Sequence, residues 1–220
     1  MFKSIFAASG AKAPSLAEAY DRASATWHAT ISKFGFVEAY EDLLSLAGQR
    51  LPADRMRDLK VLDAGAGTAA FSLAFSRLFA CPSFDLLDLS PEMLERGAQT
   101  LAAQGLTSDR LCCDIRDLSA RPKRYDVILS AHLIEHVGDI NEALGAMRSA
   151  LAPGGLLVLA VSKPHWCTAL VRMRWGHRAY RPAEMQTHLH ANGFEAIDTY
   201  SFASGPPKRL SAGYIATCQS

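Results

Sequence analysis

No two cysteines of this chain stand in a C-x-x-C pair. Five are present, Cys81, Cys112, Cys113, Cys167 and Cys218, an odd number with two adjacent. That pattern excludes a zinc ribbon and argues against a disulfide framework, so the thiols read as buried structural groups in a reducing compartment. Long hydrophobic runs are also missing. No segment approaches the ~20 apolar residues that a membrane-crossing helix needs. The opening M-F-K-S-I-F-A-A-S-G-A carries one lysine and too short an apolar run for a signal peptide, so a cytoplasmic location is expected. Nor is charge of one sign in excess: 23 Lys and Arg stand against 22 Asp and Glu. No global attraction to nucleic acid or to a membrane is expected from that balance. Internal repeats and low-complexity tracts are absent.

What is there is ordinary globular material. The 220 residues are 49% hydrophobic, enough for one substantial core. Ser15-Leu-Ala-Glu18 reads as a capping box, predicting a helix through Tyr20 and Trp27. Trp27 reads as core and His28 as exposed. A second helix is expected over Val37 to Ala47. From Lys60 onward strands and helices alternate. Strands are expected over Val61–Ala64, Phe84–Leu89, Leu111–Ile115, Tyr125–Ser130 and Leu156–Val161. Helices are expected over Ala69–Phe79, from the Ser90-Pro91 cap to near Gly105, and from the Asp139 cap along the stripe Ile140, Ala143, Leu144, Met147, Leu151. After a helix over Pro182–Asn192, Phe194–Phe202 and Gly213–Cys218 read as two strands joined through Gly205-Pro206-Pro207 with no helix between them. Such a pair is antiparallel.

The turn Asp63-Ala-Gly65-Ala-Gly67-Thr-Ala-Ala70 fits G-x-G-x-x-A after a strand, and Asp88 ends the next strand. Glycines let backbone amides approach a ligand, the helix N-terminus favours an anion, and a carboxylate at Asp88 suits a ribose diol. To this point a nicotinamide dinucleotide and S-adenosylmethionine fit equally well. Four features favour the second. Asp63, two residues before Gly65, would repel a pyrophosphate but suits an ammonium or braces the loop. Asp114 ends the third strand, placed either to accept from an adenine amino group, with Ile115 against the ring, or as a solvated turn residue. Some fifty residues precede the turn and can cover the site. The chain is short for a dehydrogenase with a separate substrate domain.

V-L-D-A-G-A-G-T, D-L-S-P-E-M-L, Y-D-V-I-L-S-A-H-L-I-E-H-V and L-A-P-G-G-L-L-V-L, in that order, resemble the class I S-adenosylmethionine-dependent methyltransferases, in the group that includes small-molecule and quinone-biosynthesis enzymes. The resemblance implies a Rossmann-like α/β three-layer sandwich. Its sheet would have seven strands in the order 3-2-1-4-5-7-6, mostly parallel with strand 7 antiparallel, under N-terminal lid helices. It implies S-adenosylmethionine as cofactor. Asp63, Gly65 and Gly67 would hold the methionine end, Asp88 the ribose with Leu89 beside the adenine, and Asp114 and Ile115 the adenine. Ser130 and Ala131 would pass under the sulfonium, and Tyr20 would face the cofactor. Where the family often has a third glycine, this chain has Ala69.

Methyl transfer from a sulfonium needs alignment and dryness, and a base if the acceptor is a hydroxyl. His132 and Glu135 in H-L-I-E-H are the candidates, with His136 read as a brace for the following helix and Glu135 as either. The same letters spell a zinc pattern on a helix. Here they follow a strand end, and no metal is expected. The segment Lys163–Arg181 carries Arg172, Arg174, Arg178 and Arg181 with Trp166, Trp175 and Tyr180 and no acid. It reads as a substrate-side insertion in which Arg172, Arg174 and Trp175 grip an anionic or aromatic acceptor, as a solvated basic loop, or as a peripheral membrane contact. The expected organisation is one domain over 1–220: lid 1–55, cofactor core 56–162, insertion 163–181, and terminal helix and strands 182–220. The expected function is methylation of a small molecule, with an NAD(P)-dependent oxidoreductase or a non-catalytic binding protein of the same fold as alternatives.

Overall fold

The structure, a computed structural model, describes residues 36–51, 58–80, 83–120, 124–165, 178–205 and 207–218. Among them run α1 (Phe36–Gly48), β1 (Val61–Ala64), α2 (Ala70–Leu78), β2 (Ser83–Asp88), α3 (Pro91–Ala102), β3 (Thr107–Cys112), β4 (Tyr125–Ala131), α4 (Ile140–Ala150), β5 (Leu151–Ser162), α5 (Pro182–Ala191), β6 (Phe194–Tyr200), a four-residue helical turn α6 (Pro207–Leu210) and β7 (Ser211–Cys218). Short 3-10 turns cover Ile115–Ala120 and Ile134–His136.

The strands form a seven-stranded sheet in the order β3-β2-β1-β4-β5-β7-β6. β1 to β5 are parallel neighbours, and β7 is antiparallel to both β5 and β6. The expected sheet is the observed one. A doubly wound dinucleotide fold runs 3-2-1-4-5-6. Insertion of β7 between β5 and β6 is a different topology, so the loose glycine spacing no longer supports the dehydrogenase alternative.

The central strands β1, β4 and β5 read as near-continuous apolar runs because both faces are covered. One face packs on α4 and α5 through Ile140, Leu144, Met147, Met185 and Leu189. The other packs on α1 and α2 through Tyr40, Leu43, Leu44, Phe71 and Phe75. Gly213 is needed in β7 because a Cβ there would lie 2.7 Å from a Leu43 methyl. α1 thereby seats directly on the sheet.

Two local expectations shift. The third strand is Thr107–Cys112, four residues earlier than the apolar cluster Leu111–Ile115 suggests. It is an edge strand, mostly exposed, so no alternating pattern marks it; Ile115 instead starts a 3-10 turn and is buried in the core. The link between β6 and β7 holds α6, a single turn too short to be a crossover. Elsewhere the caps form as the residue types dictate: Ser90 Oγ accepts from Met93 N–H at 3.0 Å, and Asp139 accepts from Asn141 N–H at 2.8 Å.

Candidate active site

The C-terminal ends of β1, β2 and β4 converge on the glycine turn. Gly65 N–H and Ala66 N–H both donate to Leu87 O, at 2.8 and 2.9 Å, which pins the turn to the end of β2. Gly65 and Gly67 have positive φ, 72° and 51°. A Cβ at Gly65 would collide with Leu133 at 2.8 Å, whereas one at Gly67 would meet nothing within 4 Å among the described residues. Gly65 is thus small for packing, and Gly67 is small toward open space, where a ligand can lie against backbone. Ala69 also adopts the left-handed region, φ 61° and ψ 32°, immediately before α2. An L-residue there costs about 1–2 kcal/mol.

Asp63 is buried at the end of β1 and accepts two bonds from Ser72, 3.1 Å from its N–H and 2.7 Å from its Oγ. The carboxylate therefore braces the first turn of α2 onto the sheet. Burial pushes it up to about 6, more than the Ser72 bonds pull it down. Between about pH 4, its unfolded value, and pH 6 the folded chain retains a proton that the unfolded chain releases. This contribution to stability is full at the acid end and is lost as pH rises through about 6. Asp63→Asn should remove that slope, a difference of about 2–3 kcal/mol between variant and parent across the window. Thermal unfolding of both from pH 4 to 7 checks it; parallel curves would show that the carboxyl does not titrate there.

Asp88, at the end of β2, accepts from Gly67 N–H and Ser90 N–H, each at 2.9 Å, tying the glycine turn to the start of α3. Leu89 beside it is 46% exposed, a large apolar surface left bare next to a carboxylate. Asp114 lies in the turn beyond β3. Its oxygens take a fork from Arg116, at 2.9 Å from Nε and 2.8 Å from Nη2, and this pairing holds the carboxyl below its usual range. Ser130 Oγ donates to Ala64 O at 2.8 Å, knitting the ends of β4 and β1. The structure thus brings Asp63, Gly65, Gly67, Asp88, Leu89, Ser130 and Ala131 to one rim, with Asp114 and Ile115 beyond β3. Tyr20, Arg172, Arg174 and Trp175 lie outside the described residues.

Beyond Ala131 the chain turns sharply at His132, φ 59°, whose N–H donates to Ala160 O at 2.8 Å. Its Nδ1 lies 2.9 Å from Glu135 Oε1 and 3.3 Å from Ser162 Oγ. Ser162 N–H donates to the same Oε1 at 2.6 Å. Burial opposes a charge on Glu135, but the bonds from His132 and Ser162 outweigh it and bring the carboxyl to about 2. Glu135 is therefore anionic at neutral pH, so Nδ1 carries the imidazole proton and donates to it. Among the described residues, His132 Nε2 and Glu135 Oε2 are buried and meet no hydrogen-bond partner. Phe36 of α1 sets its ring edge-on to His132 at 6.3 Å, and Tyr40 lies fully buried behind it. Burial, then the charges of Glu135 and Asp63, push the Tyr40 phenol up.

Sequence reasoning passed over Ser72, Ser162 and Tyr40. Ser72 and Ser162 carry no motif, and Tyr40 falls on the apolar stripe of α1, where core and site read alike.

This sheet order, with a glycine turn after β1 and an acid after β2, defines the class I S-adenosylmethionine-dependent methyltransferase fold. Comparison with known proteins agrees. Residues 61–155 match the family model described as a methyltransferase domain. The chain is 29% identical over 164 residues to the ubiquinone biosynthesis O-methyltransferase of Rhodopseudomonas palustris (strain HaA2), covering 67% of this chain and 63% of that protein. It is 36% identical over 103 residues to the same-named protein of Parvibaculum lavamentivorans, covering 47% of this chain and 40% of the relative. Among solved structures, the N-methyltransferase NodS from Bradyrhizobium japonicum WM9 in complex with S-adenosyl-L-homocysteine superposes with a TM-score of 0.73 at 19% identity, covering 94% of this chain and all of that one. Magnesium protoporphyrin IX methyltransferase from Synechocystis, with bound S-adenosylhomocysteine, gives 0.65 at 18% identity, covering 86% and 87%. The fold is that of the class I S-adenosylmethionine-dependent methyltransferases, residues 61–155 match a methyltransferase domain, and the chain spans 63% of the length of the first of these curated relatives.

Proposed function

We propose that this protein transfers a methyl group from S-adenosylmethionine to a hydroxyl of a small molecule, with His132 as general base and Glu135 orienting it. The observation that carries the reading is the pair itself. A buried carboxylate holds Nδ1 as a donor and leaves Nε2 bare beside the end of β4. A bare imidazole nitrogen is what a hydroxyl acceptor requires and what an amine presented in neutral form does not. The names of the curated relatives, O-methyltransferases, favour the same acceptor atom.

When bound, the cofactor supplies an activated methyl group. Asp88 would take the ribose diol with lone pairs left beside its two backbone bonds, Leu89 would lie against the adenine, and Gly67 would give its backbone to the methionine end. Asp63 would stand behind that turn as its brace. Asp114 would reach an adenine amino group only alongside its Arg116 fork. Ser130 and Ala131 would border the reacting atoms. In transfer to a hydroxyl, His132 Nε2 would take the acceptor's proton, and Glu135 would stabilise the imidazolium. Phe36 and Tyr40 exclude water from that side. We extend the proposal to an anionic or aromatic acceptor held by Arg172, Arg174 and Trp175, to Tyr20 facing the cofactor, and to one domain with lid 1–55 and insertion 163–181.

Calorimetry with S-adenosylhomocysteine, followed by transfer of labelled methyl to a panel of phenols and carboxylated phenols, tests the reading. Micromolar binding with label on oxygen supports it. Binding without turnover on any hydroxyl would favour a non-catalytic role, and methylation of amines alone would overturn the base assignment.

A further inference from the structure

Ser162 is the last residue of β5, and each of its polar groups is engaged at one place. Its N–H donates to Glu135 Oε1 at 2.6 Å, its Oγ lies 3.3 Å from His132 Nδ1, and its carbonyl accepts from Tyr180 N–H at 3.0 Å. Neighbouring bonds hold the same spot. Arg178 N–H donates to Glu135 O at 3.0 Å, His132 N–H to Ala160 O at 2.8 Å, and Lys163 N–H to Leu210 O at 2.7 Å. The backbone at Ser162 is thus held by three segments: the turn after β4, the chain leading into α5, and the start of β7. A side chain mounted on so fixed a backbone can fix another.

His132 needs such a partner. It sits on a bend at positive φ past the end of its strand, and its side chain is 25% exposed. A ring held at Nδ1 by the Glu135 bond alone can still tilt about that bond. The Ser162 hydroxyl, 3.3 Å away, adds a second acceptor at the same nitrogen. A three-centre bond to oxygens on two separate elements sets the ring plane, and with it the direction of Nε2. Once Nε2 has taken a proton the ring is a cation, and both oxygens on Nδ1–H stabilise it. We infer that Ser162 is a positioning residue: its N–H and its hydroxyl hold Glu135 and His132 in one frame and aim Nε2 at the acceptor.

A second serine lies beside it. Ser211 stands directly across the β5–β7 ladder from Ser162. The flanking bond, Lys163 N–H to Leu210 O, marks a non-hydrogen-bonded pair, the kind whose side chains come closest. Yet Ser211 Oγ is buried and meets no partner among the described residues, so it bonds neither Ser162 nor His132. The two hydroxyls are alike in chemistry and adjacent in the sheet, and of the two it is that of Ser162 that reaches the imidazole. Ser211 is therefore the control for Ser162.

The inference rests on the reading of His132 as the base, so one of its two readouts needs no acceptor. In proton spectra of the full chain, His132 Nδ1–H should give a resolved downfield signal, identified by its loss in His132→Asn. Ser162→Ala keeps every backbone bond at this place, and its circular dichroism should match the parent. Exchange of the Nδ1 proton with water should quicken roughly three- to tenfold in that variant, the size of one ordinary hydrogen bond. Methyl transfer from labelled cofactor to a hydroxyl acceptor should fall by a similar factor in kcat, with KM and affinity for S-adenosylhomocysteine within about twofold. Ser162→Thr keeps the hydroxyl and should restore both readouts, and Ser211→Ala should leave both at the parent value. Parent-like exchange in Ser162→Ala, an equal loss in Ser162→Thr, or a loss in Ser211→Ala alone would each overturn the inference, as would a parent without the downfield signal. If exchange follows Ser162 while no variant, parent included, methylates a hydroxyl, the hold of Ser162 on the ring stands and the reading of His132 as base is lost.

Discussion

Changing His132 to Asn should slow methyl transfer to a hydroxyl acceptor by roughly 10²-fold or more while leaving affinity for S-adenosylhomocysteine within about threefold. The asymmetry follows from where His132 sits. It lies beyond the end of β4, bonded to Glu135 and Ser162, and no part of it holds the glycine turn. Asparagine tolerates the left-handed backbone at φ 59°, so the bend after β4 survives the change. It offers no nitrogen able to accept a proton. Single-turnover transfer from labelled cofactor, measured from pH 6 to 9, separates the two effects. The loss should shrink at high pH as the acceptor ionises unaided, and an undiminished rate at pH 7 would take His132 out of the chemistry.

The second large effect is expected at Asp88. Asp88→Ala should weaken S-adenosylhomocysteine binding by about 10²-fold or more, because bonds to a charged acceptor contribute about 1.5–3 kcal/mol each. Two of those bonds are internal, from Gly67 and Ser90 N–H. The variant therefore loses the clamp on the glycine turn together with the proposed ribose acceptor. Asp88→Asn should fall between, since one amide oxygen remains to accept while its NH2 opposes a backbone N–H. The Ser90 cap on Met93 is independent of Asp88, so α3 should persist and circular dichroism should change little. Calorimetric titration of the three proteins gives the order, and affinities within threefold of one another would place the ribose elsewhere.

The parts of this fold written most plainly in the sequence are those with one physical cause. Val61–Ala64 is a strand because Val61, Leu62 and Ala64 run into a glycine turn with both faces covered, and the one acid, Asp63, is satisfied by Ser72. α3 begins where Ser90 and Pro91 require it to begin. The antiparallel end of the sheet follows from two strands with no crossover between them. The start of β3 is not legible, because its pairing with β2 is made by backbone while its side chains face water and keep no pattern. The site shows the same division. Asp63, Gly67 and Asp88 are legible because a loop that meets a ligand with backbone needs glycine and nearby charge. Tyr40 is not legible, since a tyrosine on an apolar stripe looks the same in the core and beside the site.

The place of β7 has a consequence for how the molecule is made. Among the described residues, β7 is the strand that pairs with β6, and it follows β6 in the chain. On a ribosome, Phe194–Tyr200 emerges with no partner strand and must wait, its edge open, until Ser211–Cys218 clears the exit tunnel. The nascent chain can complete its nucleoside-facing half early. The wall behind His132 closes only when β7 slides in beside β5.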